Sequence, residues 1–302
     1  MKAMKFTSLV AATVAAFFLT ACGGRNGDSR GITIGFMGAI NSIPFIVAQQ
    51  QGFLPEHIHF EFFTDHTARD AALAAGALDG VMSDLMSFFL FNDAGEEMIT
   101  VSATQGRFGI AVNDDSIVTA RDLEGRTVGS LTNSVVEVVF DYLVREAGGN
   151  PDLVNIQVIP PTPLRLEMLR LGQVDAAVLS EPLLSSITED EGGRVLAYSE
   201  APFTLIMVYR AVYENRREEL ADLFRAVDRA VEFMNANPPD VFLPMAVAAL
   251  GLGDGVFDIE LPQFLPYSLP TEEVFYHVQN WMHELGRIQT NFSYNDIVRR
   301  VK

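Results

Sequence analysis

Two short pairs, Ser83-Asp84 and Ser180-Glu181, set a hydroxyl beside a carboxylate at the end of an apolar run. Each follows a near copy of the same segment. The first copy is Leu73-Ala74-Ala75-Gly76-Ala77-Leu78-Asp79-Gly80-Val81-Met82, and the second runs from Leu169 through Gly172 and Asp175 to Leu179. A helix end, a glycine stop and a buried strand account for the pattern. It delivers both pairs to the carboxyl ends of strands, where open α/β sheets bind ligands. The chemistry on offer is hydrogen-bond acceptance: a carboxylate takes amino and ring N–H donors and repels anions. Arg107 is the one basic residue near these rims. The simpler use of both acids is to cap the helices that follow them.

Other residues with chemical potential sit at helix starts. Asn41 and Ser42 precede Pro44, and Ser130 leads into Leu131-Thr132-Asn133-Ser134 ahead of an amphipathic stretch. Free N–H groups at such starts grip a polar or acidic group, though capping, by Thr132 in the second case, needs only one side chain. Phe36, Phe45, Phe88 and Phe89 stand near enough in sequence to form a stacking wall, or simply core. His57, His59, Asp65 and His66 raise a metal, since His57 and His59 share one strand face, but a full ligand set is missing. Nucleophilic chemistry has little support. Cys22 is the sole cysteine, and neither a Gly-x-Ser-x-Gly elbow nor a phosphate-binding P-loop occurs. No enzyme activity and no cofactor are expected.

The elements that must position these groups alternate. Gly31 to Met37, Ile58 to Phe63 and Val81-Met82 read as strands, separated by helices around Phe45 to Ala48 and Ala68 to Ala75. That order predicts an α/β fold with mainly parallel sheets, and the internal echo predicts two similar lobes. Thr204 to Tyr209 reads as a strand returning to the first lobe, and Glu218 to Asn235 as a strongly periodic helix halted by Pro238-Pro239. With 302 residues and 49% hydrophobic content, the chain can bury a large core. Its formal charge of −18 becomes −20 when Lys2 and Lys5 leave with the first 21 residues, which argues against nucleic acid or anionic lipid as partner.

The start of the chain has its own logic. Lys2 and Lys5 precede an apolar run from Phe6 to Leu19, the layout of a signal peptide and too short for a comfortable span. Leu19-Thr20-Ala21-Cys22 matches a bacterial lipobox. Residues 1–21 are therefore expected to be a signal peptide and 22–30 a lipidated, glycine-rich tether.

Across the rest, the motifs resemble a family: solute-binding proteins of ABC importers, in the SsuA-like branch that takes sulfonates, nitrate and thiamine-pyrimidine precursors. The resemblance is carried by Ile43-Pro44-Phe45 with Ala48 and Gly52-Phe53, Gly76-x-x-Asp79, Gln105-Gly106, Asp122 to Arg126, Gly172-x-x-Asp175-Ala176 and Tyr294 to Val298. It implies a two-lobed type II periplasmic-binding fold hinged by two crossover strands, near Val112 and Pro202. Lobe 1 would comprise residues 31–112 and 203–302, and lobe 2 residues 113–202. The expected ligand contacts are Asn41, Ser42, Phe45, Ser83, Asp84, Gln105, Ser130, Asn133, Ser134 and Glu181. Because Asp84 and Glu181 stand at both rims, the expected solute is a nitrogen-rich heterocycle such as a thiamine-type pyrimidine, with an alkylsulfonate or nitrate-type anion as the alternative. The implied partners are an ABC permease and its separate ATPase, with a monomer held outside the cytoplasm by lipid on Cys22.

Two acyl chains make a stable anchor where one is marginal. Cys22→Ala should therefore release the folded protein from membranes, checked by fractionation in high salt and carbonate. Retention of the variant in the membrane pellet would contradict the anchor.

Overall fold

The computed structural model describes residues 31–63, 66–187, 193–201, 203–251, 261 and 263–302. The signal segment, Cys22, the tether, Asp65 and Pro202 lie outside the described residues.

Isoleucines and phenylalanines of β1 (Ile32–Met37) and the fully buried β3 (Gly80–Asp84) make the centre of a first sheet. Its order is β2-β1-β3-β10-β4, with β2 (Ile58–Phe63), β10 (Thr204–Tyr209) and β4 (Met98–Thr104). A second sheet runs β7-β6-β8-β5-β9, from β7 (Asn155–Val158), β6 (Thr127–Ser130), β8 (Ala176–Ser180), β5 (Phe108–Val112) and β9 (Arg194–Ser199). In each sheet the first three strands are parallel and the fourth is antiparallel to both neighbours. The sheets are thus mixed, with the parallel part the portion legible from the alternation of strands and helices.

The antiparallel strands are exchanged. β5 continues from β4 of the first sheet but pairs in the second, and β10 continues from β9 of the second but pairs in the first. This corrects one expectation: Phe108–Val112 is not the last strand of the first lobe, and the chain crosses at residues 105–107, before Val112. An apolar strand reads the same whichever sheet receives it, so its pattern held no clue. The second crossing falls at residues 200–203, between β9 and β10.

The sequence echo is a structural one. The helix α2 (His66–Ala74) ends ahead of Gly76, and α5 (Thr162–Arg170) ahead of Gly172; both glycines adopt positive φ, 75° and 64°, which favours glycine over other residues. Asp79 then accepts a hydrogen bond from the Thr33 N–H with its side chain (2.8 Å) while its own N–H donates to the Thr33 carbonyl. Asp175 repeats this on Thr127 at 2.7 Å. Each aspartate thereby ties the start of one central strand to the entry of its neighbour.

A second echo concerns two buried arginines. Arg69 of α2 and Arg165 of α5 are 3% and 1% exposed. Arg69 donates to the Met82 carbonyl (2.8 Å) and pairs with Asp70. Arg165 donates to the carbonyls of Val178 (2.8 Å), Ile159 (2.7 Å) and Pro160 (3.0 Å) and to the Thr162 hydroxyl. Burial lowers its pKa to about 10, so it stays charged at neutral pH. The planar fork matches several fixed carbonyls at once, which a lysine cannot do.

Beyond the short α6 (Arg210–Asn215), three helices pack together in the first lobe. α1 (Ile43–Gln50) packs on the long amphipathic α7 (Arg217–Ala236) and on α8 (Leu243–Leu250). The edge of β4 is closed by later chain: Ala103 N–H donates to the Ser268 carbonyl (2.8 Å), and Thr100 bridges to Val298. An unpaired edge would otherwise invite pairing with another chain.

Candidate functional site

At the carboxyl end of β1, Ile40–Ser42 forms a 3-10 turn that feeds α1, with Pro44 in its first turn. A small pocket of about 30 Å³, continuous with open solvent, lies beside this turn, lined by Asn41, Phe45, Thr104, Gln105, Phe264 and Tyr267 among others. Among the described residues no charged side chain lines it. Gln105, the first residue of the crossover, accepts a hydrogen bond from the Leu265 N–H (2.8 Å) and so fastens the proline-braced segment around Phe264 over the opening.

Asn41 is the polar centre of this cavity. It is 9% exposed, and its Nδ2 donates to the hydroxyls of Thr104 (3.3 Å) and Thr204 (3.4 Å). Its Oδ1 is buried and meets no donor. Of the expected contacts, Asn41, Phe45 and Gln105 come together here. Ser42 lies behind them, its hydroxyl donating to the Met37 carbonyl (2.9 Å) in place of capping α1. Phe36, Phe88 and Phe89 are fully buried core, so the stacking wall reduces to Phe45, joined by Phe224, Phe264 and Tyr267, which sequence reasoning missed.

The other expected residues sit elsewhere, engaged by protein groups. Ser83 Oγ accepts from Arg69 (3.3 Å). Asp84 caps α3 (Leu85–Asp93) by accepting the Ser87 N–H at 2.8 Å. Burial holds its carboxyl above the usual range, with the Ser87 N–H and Arg69 pulling it back. The Val135 N–H, at the start of α4 (Val135–Glu146) in the second lobe, also pulls it back. Ser134, and not Thr132, caps α4 through the Val136 N–H (3.3 Å). Ser130 is buried at the end of β6. Glu181 accepts from the Ser185 N–H (3.0 Å) and hydroxyl (2.6 Å) and pairs with Arg107 at 3.6 Å. Arg107 in turn binds Glu200 of the second crossing at 2.7 Å and lies over the Tyr198 ring. Both rim carboxylates therefore already hold N–H or O–H donors from the protein.

Asn133 takes a left-handed backbone, φ 57°, and its side chain accepts from Arg287, which follows α9 (Glu272–Glu284) of the first lobe. Arg287 also pairs with Glu137 on α4. With Tyr142 of α4 against Phe203 and His277, this contact holds the lobes together on one side of the cleft. Of the residues raised as metal ligands, His57 lies 3.8 Å from Glu219. Among the described residues no three His, Cys, Asp or Glu are grouped to share an ion.

The sequence profile of the NMT1/THI5-like family matches residues 39–241, about two thirds of the chain and the whole span from the Asn41 turn to the start of α8. The chain belongs to the NMT1/THI5-like family. No curated protein matches it by sequence. Among solved structures it is similar to the periplasmic aliphatic sulphonate binding protein SsuA from Escherichia coli, at 17% identity over 89% of this chain and 97% of that one, with a TM-score of 0.76. It is also similar to the alkanesulfonate-binding protein SsuA from Xanthomonas axonopodis pv. citri bound to MOPS, at 16% identity over 91% and 100%, with a TM-score of 0.74. A mutant of the desulfurization enzyme DSZB, in complex with biphenyl-2-sulfinic acid, shares the fold at 14% identity, 90% and 96% coverage and a TM-score of 0.67. These likenesses establish for this NMT1/THI5-like chain the two-lobed periplasmic-binding fold. Because that fold carries both binders and an enzyme, function has to come from the site.

The Arg287 contact generates a direct expectation. An ion pair at a partly covered rim contributes about 1 kcal/mol, so Arg287→Ala should shift the ligand-free protein toward an open arrangement. Spin labels on Leu153→Cys and Leu285→Cys, in a Cys22→Ser background, should report a longer or broader distance distribution in the Arg287→Ala variant. An unchanged distribution would show that the contact does not hold the lobes.

Proposed function

We propose that this protein is the extracytoplasmic solute-binding component of an ABC importer, tethered by lipidated Cys22, and that it captures a neutral, nitrogen-rich heterocycle of the thiamine-pyrimidine type. The observation that carries the solute class is the unmet Asn41 Oδ1 beside a pocket lined by aromatic rings and, among the described residues, by no charged side chain. An unsatisfied buried acceptor costs about 1–3 kcal/mol, which a solute N–H offsets, while Phe45, Phe264 and Tyr267 cover the faces of a flat ring. The heterocycle reading thus rests on Asn41, since Asp84 and Glu181 already have partners within the protein. Capture and hand-over to a permease, with ATP hydrolysed by another subunit, suit a site with hydrogen-bonding groups and no activated nucleophile; the described residues contain no cysteine.

A second reading, an alkylsulfonate, draws on the similarity to the two sulfonate binders. It would need Arg107, the cation nearest the crossings, to release Glu200 in favour of the anion.

Mass spectrometry of small molecules carried through mild purification, followed by calorimetry, separates the two. The expected result is a co-purifying aminopyrimidine or related ring compound, micromolar or tighter binding of it, and no heat with ethanesulfonate. Saturable binding of ethanesulfonate without binding of any aminopyrimidine would overturn the heterocycle and favour the second reading.

A further inference from the structure

The geometry points to Thr104 and Thr204 as positioning residues that fix which face of the Asn41 amide meets the solute; this rests on the reading that the cavity beside Asn41 is the solute site. Neither threonine carries a motif, and they stand a hundred positions apart in sequence but at the same end of the two crossings: Thr104 closes β4, Thr204 opens β10, and the two pair directly.

A proton count orients the amide. The Thr204 hydroxyl donates to the Thr104 carbonyl (3.0 Å), and the Thr104 hydroxyl donates to Thr204 Oγ1 (2.8 Å). Each hydroxyl has one hydrogen, so both are spent. What remains on the two oxygens is lone pairs, and these accept only donors. With the hydroxyl protons so placed, the Asn41 amide turns its NH₂ toward the threonines, one N–H being shared between the oxygens of Thr104 (3.3 Å) and Thr204 (3.4 Å). Its oxygen is left as an acceptor with no protein donor, closed to water in this arrangement. Oxygen and nitrogen of an amide are told apart only by such a network. The threonine pair thus makes the site select for solutes that bring an N–H or O–H donor to this point. It also joins the selecting amide to the two segments about which the lobes turn.

The assignment is testable without a solute. In the chain labelled at asparagine side-chain amides and threonine methyls, the Asn41 Hδ2 proton shared between the hydroxyls should show nuclear Overhauser contacts to the Thr104 and Thr204 methyls. Thr204→Ser should keep the Asn41 NH₂ beside Thr104. Thr204→Val keeps the methyl but removes the hydroxyl, leaving the Thr104 hydroxyl without its acceptor, so the amide should rotate and its contacts to the Thr104 methyl should vanish. Binding supplies the second readout, with 2-methyl-4-aminopyrimidine and 2-methyl-4-methoxypyrimidine as probes. The unaltered chain and Thr204→Ser should prefer the amino compound by about tenfold or more, and Thr204→Val should lose or invert that preference. Absence of the NH₂ contacts in the unaltered chain, or their persistence in Thr204→Val with preference unchanged, would overturn the positioning role. If neither probe binds while the contacts behave as stated, the solute reading fails and the positioning role stands.

Discussion

Everything in this molecule depends on two segments of chain that cross between sheets side by side. Thr104 pairs with Thr204 at one end of the crossing, and Phe108 pairs with Ser199 at the other. Only residues 105–107 and 200–203 lie between. Because each sheet takes its fourth strand from chain that has just left the other, neither lobe completes its sheet alone. The connection is short and anchored by ladders at both ends, so relative motion of the lobes must be taken up in those few residues. Arg107, held by Glu181 and Glu200, braces the same stretch from the side of the second sheet.

The lobes repeat one solution to a local problem. A helix that returns to a parallel strand must satisfy its last carbonyls and fix the register of the strand it enters. Here a left-handed glycine ends the helix, an aspartate locks the incoming strand to its neighbour, and a buried arginine gathers carbonyls near the cleft end. Burying a guanidinium is costly unless its donors are filled, and in Arg165 each of its three nitrogens has a partner. Fixed strand ends give the polar residues beyond them a fixed frame.

Much of this was legible in the chain. The echo around Gly76-Asp79 and Gly172-Asp175 marked the equivalent strands β3 and β8, and the Pro44 turn marked the loop that holds Asn41 and Phe45. What escaped was non-local. The exchange of β5 and β10 leaves no trace in local pattern, because burial in either sheet demands the same apolar run. Arg69 and Arg165 drew no notice in the sequence, although their matched spacing, ten residues before Asp79 and Asp175, was a usable signal. Thr204 sits in an apolar stretch and Arg287 in a polar one, and only the fold brings them to Asn41 and Glu137. The acids that looked most chemical, Asp84 and Glu181, are engaged in capping and pairing, the commoner use of a carboxylate at a strand-to-helix turn.

The central claim is that a solute bound beside Asn41 draws the lobes together about the paired crossings. Small-angle scattering of the chain, free and saturated with the compound that co-purifies, tests it most directly. The account predicts a smaller radius of gyration with solute and a sharper distance distribution, accompanied by a rise in melting temperature that grows with solute concentration. An unchanged radius of gyration at saturation, with binding confirmed by calorimetry, would contradict it.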